Sequence, residues 1–177
     1  MNIDRFGLGS RYDLSALSVL IVEDHSSMQK LLRTILNALG VVNVREAFSG
    51  EEGFQSLIEF PADLVITDWN MSPMDGLTFV KTVRNDERSP NPYVPIIMLT
   101  GQAEKQRVIE ARNAGVNMTL TKPVSAKTLA ERVTMLIEDP VPFVRTKQYF
   151  GPDRRRIDGP HNGKERRRKP DAGWQTN

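Results

Sequence analysis

From Leu14 onward the chain alternates short apolar, β-branched runs with segments whose apolar residues recur every three or four positions. Ser18-Val19-Leu20-Ile21-Val22 reads as a buried strand that stops abruptly at Glu23 and Asp24. Met28, Leu31, Leu32, Ile35 and Leu39 then keep helical spacing as far as Gly40, a C-terminal cap signal. Residues 41–48 predict a second strand. Ser49-Gly50-Glu51-Glu52 opens a helix reaching about Glu59, its acids suited to the positive end of the helix dipole. Residues 63–68 predict a third strand, again ending in a carboxylate, and a loop with Pro73 and Gly76 leads to a helix through about Asn85. Residues 94–100 predict the fourth strand, and 104–114 a helix stopped by Gly115. A short strand over 117–121 and a helix over 125–137, with Ser125 as its N-cap, complete the pattern.

Five strand–helix pairs in alternation imply an α/β fold, a doubly wound parallel sheet of five strands covered by helices on both faces. The folded body is expected over residues 15–139, between a flexible start at 1–14 and a tail at 140–177. Ligands of such sheets bind outside the C-terminal ends of the strands. That rule selects Glu23, Asp24, Asp68, Thr100 and Lys122, each at or just past a strand end.

Charge divides the chain in the same place. The net charge of +2 combines a body with 14 basic and 18 acidic residues and a 38-residue tail with ten basic and four acidic ones. A basic tail on an acidic body suits a negatively charged partner. The tail is rich in Pro, Gly and Arg and too poor in apolar residues to build a DNA-binding domain, so no specific DNA binding is expected. No apolar run approaches the roughly 20 residues that span a bilayer. The polar opening and the absence of cysteine fit a cytoplasmic protein.

Three carboxylates gathered at one sheet edge repel one another unless a cation neutralises them. Oxygen donors without imidazole or thiolate favour a hard ion such as Mg²⁺, which keeps several of its waters. Such an ion can also bridge an incoming phosphoryl group. A carboxylate can then act as nucleophile and form an acyl phosphate. Lys122 supplies a fixed positive charge, and Thr100 a hydroxyl for a phosphoryl oxygen. His25 reads as a surface or capping residue, because no second imidazole or thiolate accompanies it. Trp69 reads as lining the rim.

Glu23-Asp24, Asp68-Trp69-Asn70-Met71 with Met74-Asp75-Gly76, Leu99-Thr100-Gly101 and Lys122-Pro123 together resemble the CheY-type receiver family of response regulators over about residues 15–138. The resemblance implies a flavodoxin-like (βα)5 fold, with Asp68 accepting phosphate from a histidine kinase, a phosphotransfer protein or a small phosphodonor. Glu23, Asp24, Asp68 and the backbone carbonyl of Asn70 would hold Mg²⁺. Thr100 and Lys122 would contact the phosphoryl group, and the bond before Pro123 is often cis in the family. The position three residues before the lysine, aromatic in the switch of CheY itself, is Thr119, so no ring can swing inward there. Pro73 also stands one place later than the family's proline.

The tail carries a near-repeat. Gly151-Pro152-Asp153-Arg154-Arg155-Arg156 is echoed twelve residues later by Gly163-Lys164-Glu165-Arg166-Arg167-Arg168. Asp158 and Asp171 follow the two copies to give two Arg-x-x-Asp units, and Trp174 lies beyond. Arginine pairs in bidentate fashion with guanine or phosphate. A carboxylate accepts from the guanine N–H groups, and an indole or guanidinium plane stacks on the base. Arg154, Arg155, Arg156, Asp158, Arg166, Arg167, Arg168, Asp171 and Trp174 therefore suit a small, doubly negative ligand with two guanines, cyclic di-GMP. The residues alone leave other readings open: non-specific binding of nucleic acid or acidic proteins, or a solubilising tail.

A CheY-like body with a Tyr-Phe-Gly-Pro-Asp-Arg-Arg-Arg tail is similar to the CheY-like cyclic-di-GMP effectors called Cle proteins. That resemblance implies a bacterial signalling protein without turnover of its own, a tail disordered or ordered by its ligand, and a flagellar switch protein as partner at the flagellar pole. The alternative is a phosphorelay receiver or phosphate sink whose tail only contributes charge. Phe143, Val144, Tyr149 and Phe150 form a small apolar set suited to docking back on the body.

Overall fold

The structure is a computed structural model that describes residues 14–101 and 104–153. After a 3-10 turn at Leu14–Ala16 the elements run β1 (Ser18–Val22), α1 (Ser26–Ala38), β2 (Asn43–Ala47), α2 (Gly50–Glu59), β3 (Leu64–Asp68) and α3 (Gly76–Asn85). They continue as β4 (Ile96–Thr100), α4 (Lys105–Ala114), β5 (Met118–Thr121), α5 (Ala126–Glu138), β6 (Phe143–Arg145) and β7 (Phe150–Pro152). The first five strands form one parallel sheet in the order β2-β1-β3-β4-β5. The chain winds outward from β1 to β2 and then returns to β3 on the other side. This reversal opens a crevice between the ends of β1 and β3.

Strict alternation along the strands builds a core on each face. Val19, Ile21, Leu64, Ile66, Ile97 and Leu99 pack with Leu32 and Leu36 of α1 and Leu129 and Val133 of α5. Leu20, Val22, Val65, Ile96 and Met98 pack with Phe54 of α2, Phe79 and Val83 of α3 and Ala111 of α4. With both faces covered, β3 and β4 are buried along their whole length, which is why they read as unbroken apolar runs.

Local chemistry sets the boundaries. Ser49, Asp75 and Ser125 cap α2, α3 and α5 by accepting from the amides of Glu52, Thr78 and Thr128. Glu52 in turn accepts from the amide of Phe48, the residue before the cap, at 2.7 Å, which ties the chain entering α2 to its first turn. Gly40 has φ +92° just past α1, a left-handed conformation that glycine adopts freely. The fourth strand starts at Ile96 and not Val94, because Pro95 has no amide to give the ladder. The second strand is shorter than expected at both ends, with Val42 largely exposed.

The head of the tail docks back on the body through the apolar set the sequence offered for it, and it does so as a hairpin that the pattern did not predict. Residues 143–152 form an antiparallel hairpin docked on the body, and the rest of the tail lies outside the described residues. Its turn is tied by Thr146, whose hydroxyl accepts from the Tyr149 amide at 3.0 Å and whose amide donates to the Tyr149 carbonyl at 2.7 Å. Phe143 and Phe150 pack edge-on with Tyr93, centroids 5.5 and 5.1 Å away. Gly151 lies so near Gly115 that an added Cβ would sit 2.8 Å from the Gly115 Cα.

The hairpin covers Arg84, which is 1% exposed. Its guanidinium donates to the carbonyls of Gly115 (3.0 Å) and Pro92 (2.9 Å) and to Asn117 Oδ1 (3.3 Å). The Phe143 ring lies 5.0 Å away. Burial pushes the guanidinium down to about 9, still high enough to be charged at neutral pH.

Candidate functional site

The crevice at the strand ends gathers the carboxylates that the sequence placed there. Asp68 closes β3 and is 4% exposed, while Glu23, directly after β1, is fully buried. A backbone bond from the Glu23 amide to the Ala47 carbonyl fixes its position beside β2. Lys122, just past β5, reaches across the sheet edge. Its ammonium lies 2.9 Å from Glu23 Oε2 and 2.9 Å from Asp68 Oδ1. The cation that three neighbouring acids require is therefore supplied in part by the chain itself. Burial works against the Lys122 charge, but the hydrogen bonds to Glu23 and Asp68 and their negative charges hold its pKa above the ordinary lysine value.

His25 is tied into the same cluster. Its Nδ1 lies 3.1 Å from Glu23 Oε1 and 2.6 Å from Asp24 Oδ1, while most of the ring is in solvent. The two carboxylates raise its pKa, the Glu23 bond most. The residue holds the N-cap position of α1 as expected, though through its backbone and not its ring. One ligand atom from each of Glu23, Asp24 and His25 falls within a 4.8 Å span. Asp24 Oδ1 is buried without a well-formed hydrogen bond despite the nearby imidazole. A buried carboxylate oxygen approached only by the His25 imidazole, in a mainly oxygen donor set, fits a hard cation.

Thr100, 2% exposed, ends β4 beside Asp68, and the Lys122 amide donates to its carbonyl at 2.7 Å. Asn70 is exposed in the loop after β3. Trp69 is 7% exposed at the pocket's edge and belongs to the core under α3, with the Arg107 guanidinium 5.1 Å from its ring. The Lys122–Pro123 bond is cis, as the resemblance implies, and so is Ser72–Pro73. Thr119 is half-buried in β5, opposite Met98.

Two further residues support the site: Gln29, which the sequence reading did not single out, and Gly76, which it placed in the loop before α3. Gln29 of α1 is buried and its amide donates to the carbonyls of Glu23 (2.8 Å) and Ala47 (3.0 Å), clamping the ends of β1 and β2 behind the acidic pair. A polar residue on the apolar stripe of α1 was the available signal. Gly76 opens α3 by donating to the Trp69 carbonyl, and an added Cβ there would overlap the Asp68 carbonyl oxygen. Glu23, Asp24, Asp68, Thr100 and Lys122 thus meet at one sheet edge. The tail set, Arg154, Arg155, Arg156, Asp158, Arg166, Arg167, Arg168, Asp171 and Trp174, lies outside the described residues.

Comparison with known proteins agrees with this geometry. A family model described as the response regulator receiver domain matches residues 19–134. The chain is 37% identical over 122 residues to the chemotaxis protein CheY-3 of Vibrio cholerae, covering 69% of this chain and 92% of that one. It is 36% identical to the chemotaxis protein CheY of Pseudomonas aeruginosa, covering 69% and 97%. Among solved structures, the V. cholerae CheY4 protein superposes with a TM-score of 0.62 at 30% identity, covering 67% of this chain and 96% of that one. The Francisella response regulator 1452 receiver domain gives 0.62 at 27% identity, covering 69% and 97%. The family match ends before the β6–β7 hairpin.

Proposed function

The chain belongs to the response regulator receiver family, and from that membership we propose that it is a phosphoryl-accepting signalling protein that also acts as a cyclic-di-GMP effector. The observation that carries the first half is the Lys122 ammonium placed 2.9 Å from both Glu23 and Asp68. It neutralises the buried acids and leaves Asp68 poised as a nucleophile. Receiver domains hold Mg²⁺ at an acidic site of this kind. In this chain Glu23, Asp24, Asp68 and the Asn70 carbonyl would hold it, and it supplies charge neutralisation for the incoming phosphoryl group. An Asp68 oxygen attacks phosphorus as the bond to the donor's histidine nitrogen or leaving oxygen breaks, giving an acyl phosphate. Lys122 and the Thr100 hydroxyl then bind the new phosphoryl oxygens. The partners are a histidine kinase or phosphotransfer protein, and the chain turns over no external substrate.

The second half rests on the repeated arginine-rich segment and its two Arg-x-x-Asp units. The chemotaxis relatives support a motility output, such as a flagellar switch protein, reached from the cytoplasm. No helix among the described residues is long and apolar enough to cross a membrane. Calorimetric titration of the full chain with cyclic di-GMP at physiological salt tests the reading. Saturable binding, lost strongly in Arg155→Ala and Arg168→Ala, supports it. Absence of saturable binding leaves a phosphorelay receiver whose tail contributes only charge. Acetyl phosphate or beryllofluoride with Mg²⁺ tests the pocket, and a signal that persists in Asp68→Asn would sink the assignment of the acceptor.

A further inference from the structure

The phosphoryl chemistry uses Glu23, Asp24, Asp68, Thr100 and Lys122 and leaves His25 without a task, yet the fold turns the His25 ring into the acidic cluster. Lys122 takes one oxygen of Glu23, Oε2, at 2.9 Å. The other, Oε1, accepts from the His25 amide at 3.2 Å and lies 3.1 Å from His25 Nδ1. The same nitrogen stands 2.6 Å from Asp24 Oδ1, an oxygen shut off from solvent and without a well-formed hydrogen bond. Helix α1 does not need the ring, because His25 holds the cap position through its backbone. Among the described residues, Glu23, Asp24 and His25 form the one trio of His, Asp and Glu side chains whose ligand atoms come this close together.

Two donors bonded at right angles to one ion, each at about 2.1 Å, are about 3.0 Å apart. The distances from Nδ1 to the two carboxylate oxygens, 3.1 and 2.6 Å, fall on either side of that edge. Most of the ring is in solvent, so it is free to make the remaining adjustment. Donor type then decides which ion gains. Carboxylates, carbonyls and water suit Mg²⁺, whereas an imidazole nitrogen adds affinity for the later first-row ions. A second imidazole is not required where carboxylates complete the set.

We propose that His25 is a nitrogen ligand of the cation held in the acidic pocket, and that through it the pocket favours a first-row transition ion over Mg²⁺. This assignment rests on the reading of the pocket as a divalent-cation site and names the class of ion it prefers. The test is calorimetric titration of the full-length chain with Mg²⁺ and with Co²⁺, wild type against His25→Ala, together with proton NMR of the Co²⁺ form. An imidazole bonded to paramagnetic Co²⁺ has ring-proton resonances shifted far outside the ordinary range. The wild type is expected to show them and His25→Ala to lack them. Affinity for Co²⁺ is expected to fall about tenfold or more in His25→Ala, and that for Mg²⁺ to stay within about threefold. Shifted resonances that persist in His25→Ala would belong to His161, the other histidine of the chain, and would overturn the assignment. Equal changes for both ions also overturn it, because His25 then acts on the acids through charge alone. A wild type that binds Mg²⁺ and shows no shifted resonances removes the nitrogen ligand and leaves the cation site standing. A wild type that binds neither ion overturns the cation site, and this ligand with it.

Discussion

At the scale of single residues, the pocket is built from groups that would be unstable alone. Glu23 is a fully buried carboxylate with a second acid across the crevice, a placement that costs several kcal/mol unless a cation stands between them. Lys122 stands there. Gly76 makes a different contribution: it lets the backbone of α3 press against the carbonyl of Asp68 with no room for a methyl group. Gly76→Ala is therefore expected to destabilise the fold by about 3 kcal/mol, because the obstacle is backbone that cannot rotate away. Urea unfolding measures this, and a loss under about 0.5 kcal/mol would show that the helix start can shift. The acid pair, Asp68, Thr100 and Lys122 were legible in the sequence because each is a polar residue interrupting an apolar run. Gln29 and Arg107 were not singled out: a polar residue on the apolar stripe of α1 does not say which carbonyls it clamps, and nothing in the spacing of Arg107 reveals an indole ring contributed by a distant part of the chain.

At the scale of elements, the ten helices and strands of the body follow from patterns of period 2 and 3.6 reinforced by caps. The mistaken boundaries lie where a residue is apolar but unpaired, as at Val42, or lacks an amide, as at Pro95. The hairpin escaped the pattern because strands of three residues are too short to show a period. Its stability comes from side chains outside it: Arg84, Tyr93 and the surface of Gly115. Phe143→Ala removes the ring that covers Arg84 and one partner of Tyr93 and Phe150. A loss of about 2 kcal/mol is expected for a half-buried ring, below the full core value. Hydrogen exchange over residues 143–153 should rise together across the segment. Unchanged exchange would mean that the hairpin is held by its glycine contact alone.

At the scale of the whole molecule, the acidic pocket and the docked hairpin lie at opposite ends of the sheet. Asp68 and Thr100 close their strands, whereas Arg84 bonds to the carbonyls of Pro92 and Gly115 in the segments that lead into β4 and β5. The two ends are separated by a strand length of roughly 15 Å. Saturating beryllofluoride with Mg²⁺ is therefore expected to leave the stoichiometry of cyclic-di-GMP binding unchanged, as measured by paired titrations. Mutual exclusion would place the two ligands in one site. Sequence by itself determined the element order, the parallel sheet, the acidic strand ends and the arginine repeat, because periodicity, caps and composition are properties of neighbours in the chain. Only the tertiary structure decided that Lys122 bridges Glu23 and Asp68, that Gln29 and Gly76 shape the pocket, and that the tail begins as a hairpin over a buried arginine. Those contacts join residues up to 99 positions apart. They depend on which surfaces the packed sheet and helices bring within a few ångströms of one another.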